Sequence, residues 1–230
     1  MRLLRKLGAL SLDLIYPRRA VCMGCKDMAG CDRDDLCEAC RRELAENWVG
    51  PRIPGGKFLL DGAAYAHVYA GPAGGVVRRL KYGSVWILAD EMGADIARVA
   101  KLMRMENLRF VTAVPMHPKR LRGRGRNHAE LLARSAAKRL DAEYRELLFR
   151  TRNAPQQARL NTKERKKNLK DAFAVLPECR EAVRGASVLL IDDVCTTGST
   201  GKYCAEALRN AGASRVYLAT YAVGGGDKHG

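Results

Sequence analysis

The sequence predicts an α/β protein: a parallel sheet with helices on both faces, joined to a small N-terminal module built on four cysteines. Three observations carry this. From about residue 58 onward, short apolar runs of strand length alternate with helical patterns, as expected for parallel strands linked by crossover helices. One run, SVLLI at 187–191, is apolar without alternation, as a strand covered on both faces must be. Five of the eight cysteines fall within residues 20–45. A chain of 230 residues has room for one such domain plus a small module.

Residues 1–17 read as a short amphipathic helix ended by Pro17. The start is basic and leucine-rich, but Asp13 interrupts its apolar stretch and no small-residue cleavage site precedes Arg18-Arg19. A signal peptide is therefore not expected. No run approaches the roughly 18–20 apolar residues needed to span a bilayer. The expected setting is cytoplasmic and reducing. The expected organisation is an N-terminal helix and metal module over 1–50, a linker in GPRIPGG at 50–56, the α/β domain over 57–223 and a flexible tail over 224–230.

Within the α/β domain, 62–70 and 110–116 read as strands. Residues 90–104 read as a helix presenting Ile96, Val99, Ala100 and Met103 on one face. The segment 127–140 reads as a helix capped by Asn127. Strand 187–191, a helix over 202–210 stopped by Gly212, and a last strand over 215–223 complete the pattern. His67 falls on an apolar strand and reads as structural.

Cys22-x2-Cys25 and Cys37-x2-Cys40 are two knuckles separated by 11 residues. Each short turn points two sulfurs the same way, so four thiolates can surround one tetrahedral ion, and zinc is the best fit. Such a site is closed and structural. Lys26, Arg41 and Arg42 can offset its charge. A redox pair or an iron–sulfur cluster would use the same residues, and Cys31 inside the loop leaves the ligand set open. In a reducing compartment disulfides are a poor account of these thiols. Cys179, Cys195 and Cys204 are isolated and read as small packing residues.

Net charge is +16. It is not spread evenly: residues 111–186 hold 19 basic and 8 acidic side chains, an excess of 11, whereas 187–230 are balanced at 4 and 4. A local basic field suits a polyanion such as nucleic acid or a pyrophosphate-bearing metabolite.

The most specific feature is VLLIDDVCTTGST at 188–200: an apolar strand, an acidic pair, a Thr/Gly turn and a helix start. Thr196, Thr197, Gly198, Ser199 and Thr200 offer hydroxyls and backbone N–H groups where a helix dipole favours an anion. Gly198 lets the backbone approach a phosphate. Asp192 and Asp193 only accept hydrogen bonds when ionised, so they suit sugar hydroxyls rather than phosphate. Neither a Walker A loop nor a dinucleotide fingerprint is present. The strand and basic loop TAVPMHPKRLRGRG at 112–125 can lie beside this turn, where Lys119, Arg120, Arg122 and Arg124 would meet a pyrophosphate. His117 reads either as a ligand contact or as loop packing.

The 188–200 segment resembles the phosphoribosyl-pyrophosphate (PRPP) motif of type I phosphoribosyltransferases. Taken with LKYG at 80–83, VPMHPKRLRGRGRN at 114–127, and the QARL…RKKNLKDAF stretch at 157–173, the chain resembles the ComF family over about residues 16–223. It departs from the family pattern at Arg126, His128 and Ala154. The resemblance implies a type I phosphoribosyltransferase-like sheet and a zinc-binding N-terminal module. It implies that Asp192 and Asp193 hold the ribose hydroxyls and Thr196–Thr200 the 5′-phosphate, with Lys81 and the basic loop near the pyrophosphate or DNA. It also implies a link to DNA uptake in natural transformation, alongside a helicase-like ATPase and a recombination mediator. Two functions remain open. One is PRPP-dependent transfer, in which Mg²⁺ would sit on the pyrophosphate and no acceptor or catalytic base is identifiable. The other is a non-catalytic single-stranded DNA-binding protein that keeps the fold, for which residues 119–170 supply 17 basic against 5 acidic side chains but few aromatics for stacking.

Overall fold

The structure, a computed structural model, describes residues 22–26, 36–52, 59–82, 87–151 and 172–224. The 1–17 helix, Cys31, the linker beyond residue 52, the 157–171 segment and the tail beyond residue 224 lie outside the described residues. So do the side chains of Lys119, Arg120 and Arg124.

Among the described residues the central sheet has six strands: β1 (Trp48–Arg52), β2 (Gly62–Val68), β3 (Leu108–Ala113), β4 (Glu143–Tyr144), β7 (Ser187–Cys195) and β8 (Arg215–Val223). Their spatial order is β1-β2-β8-β7-β3-β4. All neighbours run parallel except β1, which pairs antiparallel with β2. β5 (Leu148–Arg150) and β6 (Phe173–Val175) form a separate antiparallel pair.

The side-chain period of two sorts each strand between two cores. Leu189 and Ile191 of β7, Val111 of β3, and Tyr217, Ala219 and Tyr221 of β8 face one way. They pack under helices α2 (Gly71–Tyr82), α3 (Ile87–Lys101) and α5 (His128–Leu140). Val188, Leu190, Phe110, Val216 and Leu218 face the other way. They lie against the 3₁₀ turn Pro177–Cys179, α6 (Arg180–Val183), α7 (Ser199–Asn210) and the β5–β6 pair. The unbroken apolar run of β7 is thus the shared floor of both cores. Cys179, Cys195 and Cys204 are buried, as packing residues should be.

Three expectations are corrected. Gly50–Arg52, read as the start of a linker, is the second half of β1 and is hydrogen-bonded into the main sheet. Strand β7 does not stop at Ile191 but continues through both aspartates to Cys195. The basic loop after β3 contains a short helix, α4 (Pro118–Arg124). Asn127 caps α5 as expected: its Oδ1 accepts from the Ala129 N–H at 3.2 Å. Its Nδ2 also donates to the Val114 carbonyl at 3.0 Å, tying the helix start to the end of β3. His67 is buried, with Nδ1 3.1 Å from the Leu44 carbonyl and Nε2 3.2 Å from Asp95. It joins α1 (Glu38–Glu46) to the sheet and to α3.

Helices α3 and α5 cross where a Cβ on Gly93 would collide with Ser135. Beside that crossing, Asp90 accepts from Ser135 Oγ at 2.8 Å and from Arg139 through both carboxylate oxygens, at 3.0 and 2.9 Å. The Arg139 and Ser135 hydrogen bonds lower the Asp90 carboxyl to about 2. A carboxyl lowered in the fold stabilises it above the unfolded value of about 4, and that contribution is lost as pH falls toward 2. Thermal melts between pH 5 and 2.5 should therefore steepen in their loss of stability below pH 4. Asp90→Asn should flatten that dependence while lowering the melting temperature at pH 7.

Candidate functional site

Four elements converge on the carboxyl edge of the parallel strands, where ligands sit in open α/β sheets. They are the end of β7, the turn into α7, the segment after β3 and the last turn of α2. They enclose an open cleft of about 320 Å³. Lys81, His117, Asp192, Asp193, Thr196 and Thr200 all line it. Thr197, Gly198 and Ser199 line an adjoining cradle of about 30 Å³. Arg122 is exposed on α4 and does not line the cleft.

The acidic pair is arranged asymmetrically. Asp193 is buried, and its Oδ1 lies 2.9 Å from Lys81 Nζ. Asp192 is half-buried, and its Oδ1 accepts the Asp193 N–H at 2.8 Å. Desolvation, then the neighbouring Asp193 charge, pushes the Asp192 carboxyl up to about 8; the Asp193 N–H and Lys81 oppose the rise. Lys81 thus enters the cleft as a counter-ion to the acidic pair rather than as an unengaged cation.

The turn after β7 is anchored and open at once. Gly224 donates its N–H to the Cys195 carbonyl at 2.7 Å, closing the turn's base. Gly198 sits at φ +68°, a conformation that costs other residues strain. The nearest atom to a Cβ there would be Cys195 Sγ at 3.9 Å, so only open space lies above it. Helix α7 then begins at Ser199, whose Oγ is 2.9 Å from Thr197 Oγ1. The first turn of α7 lines the cradle, and its N–H groups have no helical carbonyl to bind; that of Ser199 donates to Thr197 Oγ1 at 3.4 Å. The cleft therefore offers carboxylate acceptors on one side and N–H donors on the other.

Two contributors carried no sequence signal. Arg150, at the end of β5, lines the cleft and has its guanidinium 5.3 Å from the Phe173 ring centroid. Its position depends on the β5–β6 pairing, which spans 22 intervening residues that show no hairpin pattern. Tyr69, just beyond β2, lines the cleft as well.

The cysteines form a second centre. The sulfurs of Cys22, Cys25, Cys37 and Cys40 all lie within 4.8 Å of one another. Burial would raise the Cys22 thiol, but backbone N–H groups of Cys37, Cys25 and Gly24 bring it down to about 6. The Gly24 and Cys37 bonds are each 3.3 Å. Burial and three neighbouring thiols push Cys40 upward. One sulfur is thus held ready as a thiolate among three others at ligand spacing, a donor set that fits structural zinc.

This knuckle sits on α2, the helix that carries Lys81. A Cβ at Gly75 would overlap the Gly24 carbonyl, and one at Gly24 would lie 2.8 Å from Cys40 Sγ and 3.0 Å from Pro72 Cβ.

The chain matches the phosphoribosyl transferase domain family over residues 126–229. It is 28% identical over 213 residues to the DNA utilization protein YhgH of Escherichia coli, covering 86% of this chain and 88% of that one. It is 28% identical over 155 residues to competence protein F of Haemophilus influenzae, covering 65% of this chain and 67% of the relative. Among solved structures, the glutamine PRPP amidotransferase of Bacillus subtilis aligns with a TM-score of 0.39 at 20% identity, covering 56% of this chain and 25% of that one. The fold and the family match define a phosphoribosyltransferase-type domain bearing a four-cysteine cluster. These relatives and the domain match support a ComF-family protein, as its ordered motifs suggested.

In an exposed helix interior, Gly→Ala adds about 1 kcal/mol of stability. At Gly75 the sign should reverse, because the methyl displaces the knuckle. Gly75→Ala should lower the melting temperature and make the Cys22–Cys40 region more sensitive to limited proteolysis.

Proposed function

We propose that this protein binds PRPP or a related phosphorylated ribose ligand in the cleft and serves DNA uptake. The observation that carries the reading is the opposed chemistry across one turn: two carboxylates at the end of β7 and an N–H-lined cradle at the start of α7. A molecule with a phosphate at one end and vicinal hydroxyls beside it matches that polarity. The cradle takes the 5′-phosphate, through the backbone of Thr196–Thr200. Asp192 and Asp193 accept from the ribose hydroxyls. Lys81, His117 and Arg150 then lie on the side where a pyrophosphate would extend. Mg²⁺ would neutralise that pyrophosphate and orient it as a leaving group. The names of the relatives, DNA utilization protein and competence protein, support the DNA-uptake setting. There a helicase-like ATPase and a recombination mediator are the expected partners.

The four thiols are read as a structural zinc site. Elemental analysis should return one zinc per chain. Cys37→Ser should lose the metal and destabilise the segment seated on α2, since metal binding and folding are coupled in such sites.

A second reading, a single-stranded DNA-binding protein that retains the fold, is favoured by the basic excess of 111–186. It predicts affinity for oligonucleotides that falls steeply with salt, and that weakens on charge reversal at Arg122. Release of pyrophosphate from PRPP with any acceptor separates a transferase from this alternative.

Calorimetry with PRPP and Mg²⁺ tests the first reading. At pH 9, where both carboxyls are ionised, replacing Asp192 and Asp193 together with Ala should remove two charge-assisted acceptors, each worth roughly 1.5–3 kcal/mol. Gly198→Val should weaken binding by straining the turn and filling the space above it. Because the Asp192 carboxyl is raised, it accepts a ribose hydroxyl best once ionised. PRPP affinity should rise roughly tenfold from pH 7 to 9, a range in which phosphate monoesters are already dianionic. Asp192→Asn should abolish that rise. Equal PRPP affinity in wild type and the double Ala variant would sink the assignment.

A further inference from the structure

The opposite edge of the sheet carries a second pocket. It lies at the amino-terminal ends of β3, β7 and β8 and encloses about 350 Å³. Ser187 opens β7 while Cys195 closes it, so the two edges are about 25 Å apart at strand rise. Arg109, Arg184 and Arg215 line the pocket against one carboxylate, Glu106. That carboxylate is spoken for: it lies 3.1 Å from Arg215. Among the described residues, the ion pair of Arg184 is an exposed contact of 3.6 Å with Glu181. Arg109 has no ion pair among the described residues.

Two independent features point to a ligand here. The first is Ser187. It lines the pocket, it is 4% exposed, and its Oγ is buried without a hydrogen-bond partner among the described residues. A buried hydroxyl left unpaired is destabilising, so natural sequences seldom keep one without use. Valine or alanine would fill a strand start at no such cost. The neighbouring Ser214 hydroxyl, by contrast, is satisfied by the Gly185 carbonyl at 2.8 Å. The second is the register of β3. Leu108 pairs with Ser187 and Phe110 with Val188, so Arg109 is the extra residue of a β-bulge opposite Ser187. Bulges re-aim a side chain that regular pairing would send elsewhere.

We propose that this pocket is a second anion site, built to take one phosphoryl group, either free phosphate or a phosphodiester of nucleic acid. Arg109 and Arg184 supply the charge and Ser187 the neutral donor. The pocket's size admits a tetrahedral oxyanion with its water, and guanidinium groups match that geometry through paired N–H donors. The site shares no residue with the cleft, so its existence does not depend on what the cleft binds.

Amide chemical shifts of the full, metal-loaded chain provide the test, because they report on both edges at once. Titration with inorganic phosphate should move the signals of Gly185–Ser187 and Ser214–Arg215. Ser187→Ala and Arg109→Gln should each weaken that response roughly tenfold. Ser187→Ala should keep or raise the melting temperature, since it removes a hydroxyl that bonds nothing in the fold; this separates lost binding from lost structure. A short oligothymidylate in phosphate-free buffer supplies the second arm. If it moves the same signals and Arg109→Gln abolishes the effect, the natural occupant is a nucleic-acid backbone. If only inorganic phosphate moves them, the occupant is free phosphate. Shifts confined to Thr196–Thr200, or an unchanged response in both variants, would overturn the site and leave the cleft reading standing.

Discussion

Placing two adjacent carboxylates at the end of a strand covered on both faces is costly, because such a position is partly dry and like charges repel. The structure meets the cost with one ion pair, Lys81 to Asp193, and one backbone bond to Asp192. Much else follows from the need to deliver that lysine. Lys81 lies in the last turn of α2, so α2 must be held at a fixed height over the sheet. Its buried face, Val76, Val77 and Leu80, sets the distance. Its glycine-rich start lets the cysteine knuckle close over it without a side chain between. The four-cysteine cluster and the acidic pair are thus engaged by the two ends of one helix.

The acidic pair is not neutralised equally. Asp193 is committed to a protein cation, while Asp192 keeps its proton well above the ordinary carboxylate range. Two chemically identical side chains are made different by desolvation at Asp192 and by the Lys81 ammonium beside Asp193. Arg150 and His117 stand around the pair from other elements, so the cleft wall is assembled from three segments remote in sequence. Only the β7 turn is local.

That division explains what the amino-acid order reveals. The β7–α7 segment was legible because its chemistry is contiguous: apolar run, acids, hydroxyls, glycine. The last strand, 215–223, was legible from its apolar content and bounding glycine. Asn127 was readable as a cap but not as the clamp on Val114, which needs tertiary placement. Helix α2 was hidden by Gly71, Pro72, Gly74 and Gly75, which score against helix interiors; at Gly75 the Gly24 backbone leaves no room for a side chain. The second half of β1, Gly50–Arg52, was mistaken for linker because Gly50 and Pro51 punctuate loops. On an edge strand a proline costs no ladder bond if its nitrogen faces outward. Arg150 was invisible because nothing local marks a cleft wall supplied by a non-local strand pair.

The make-up of β1 bears on how such molecules behave when crowded together. An open sheet offers unpaired N–H and C=O groups at each margin, an invitation to runaway strand addition. Here one margin ends in a strand with a proline nitrogen and a glycine at φ +91°. The other ends in a strand of two residues. Both margins therefore make poor templates for an incoming chain. Among the described residues, neither margin offers a long regular backbone ladder, so a contact between two copies at these margins would fall to side chains.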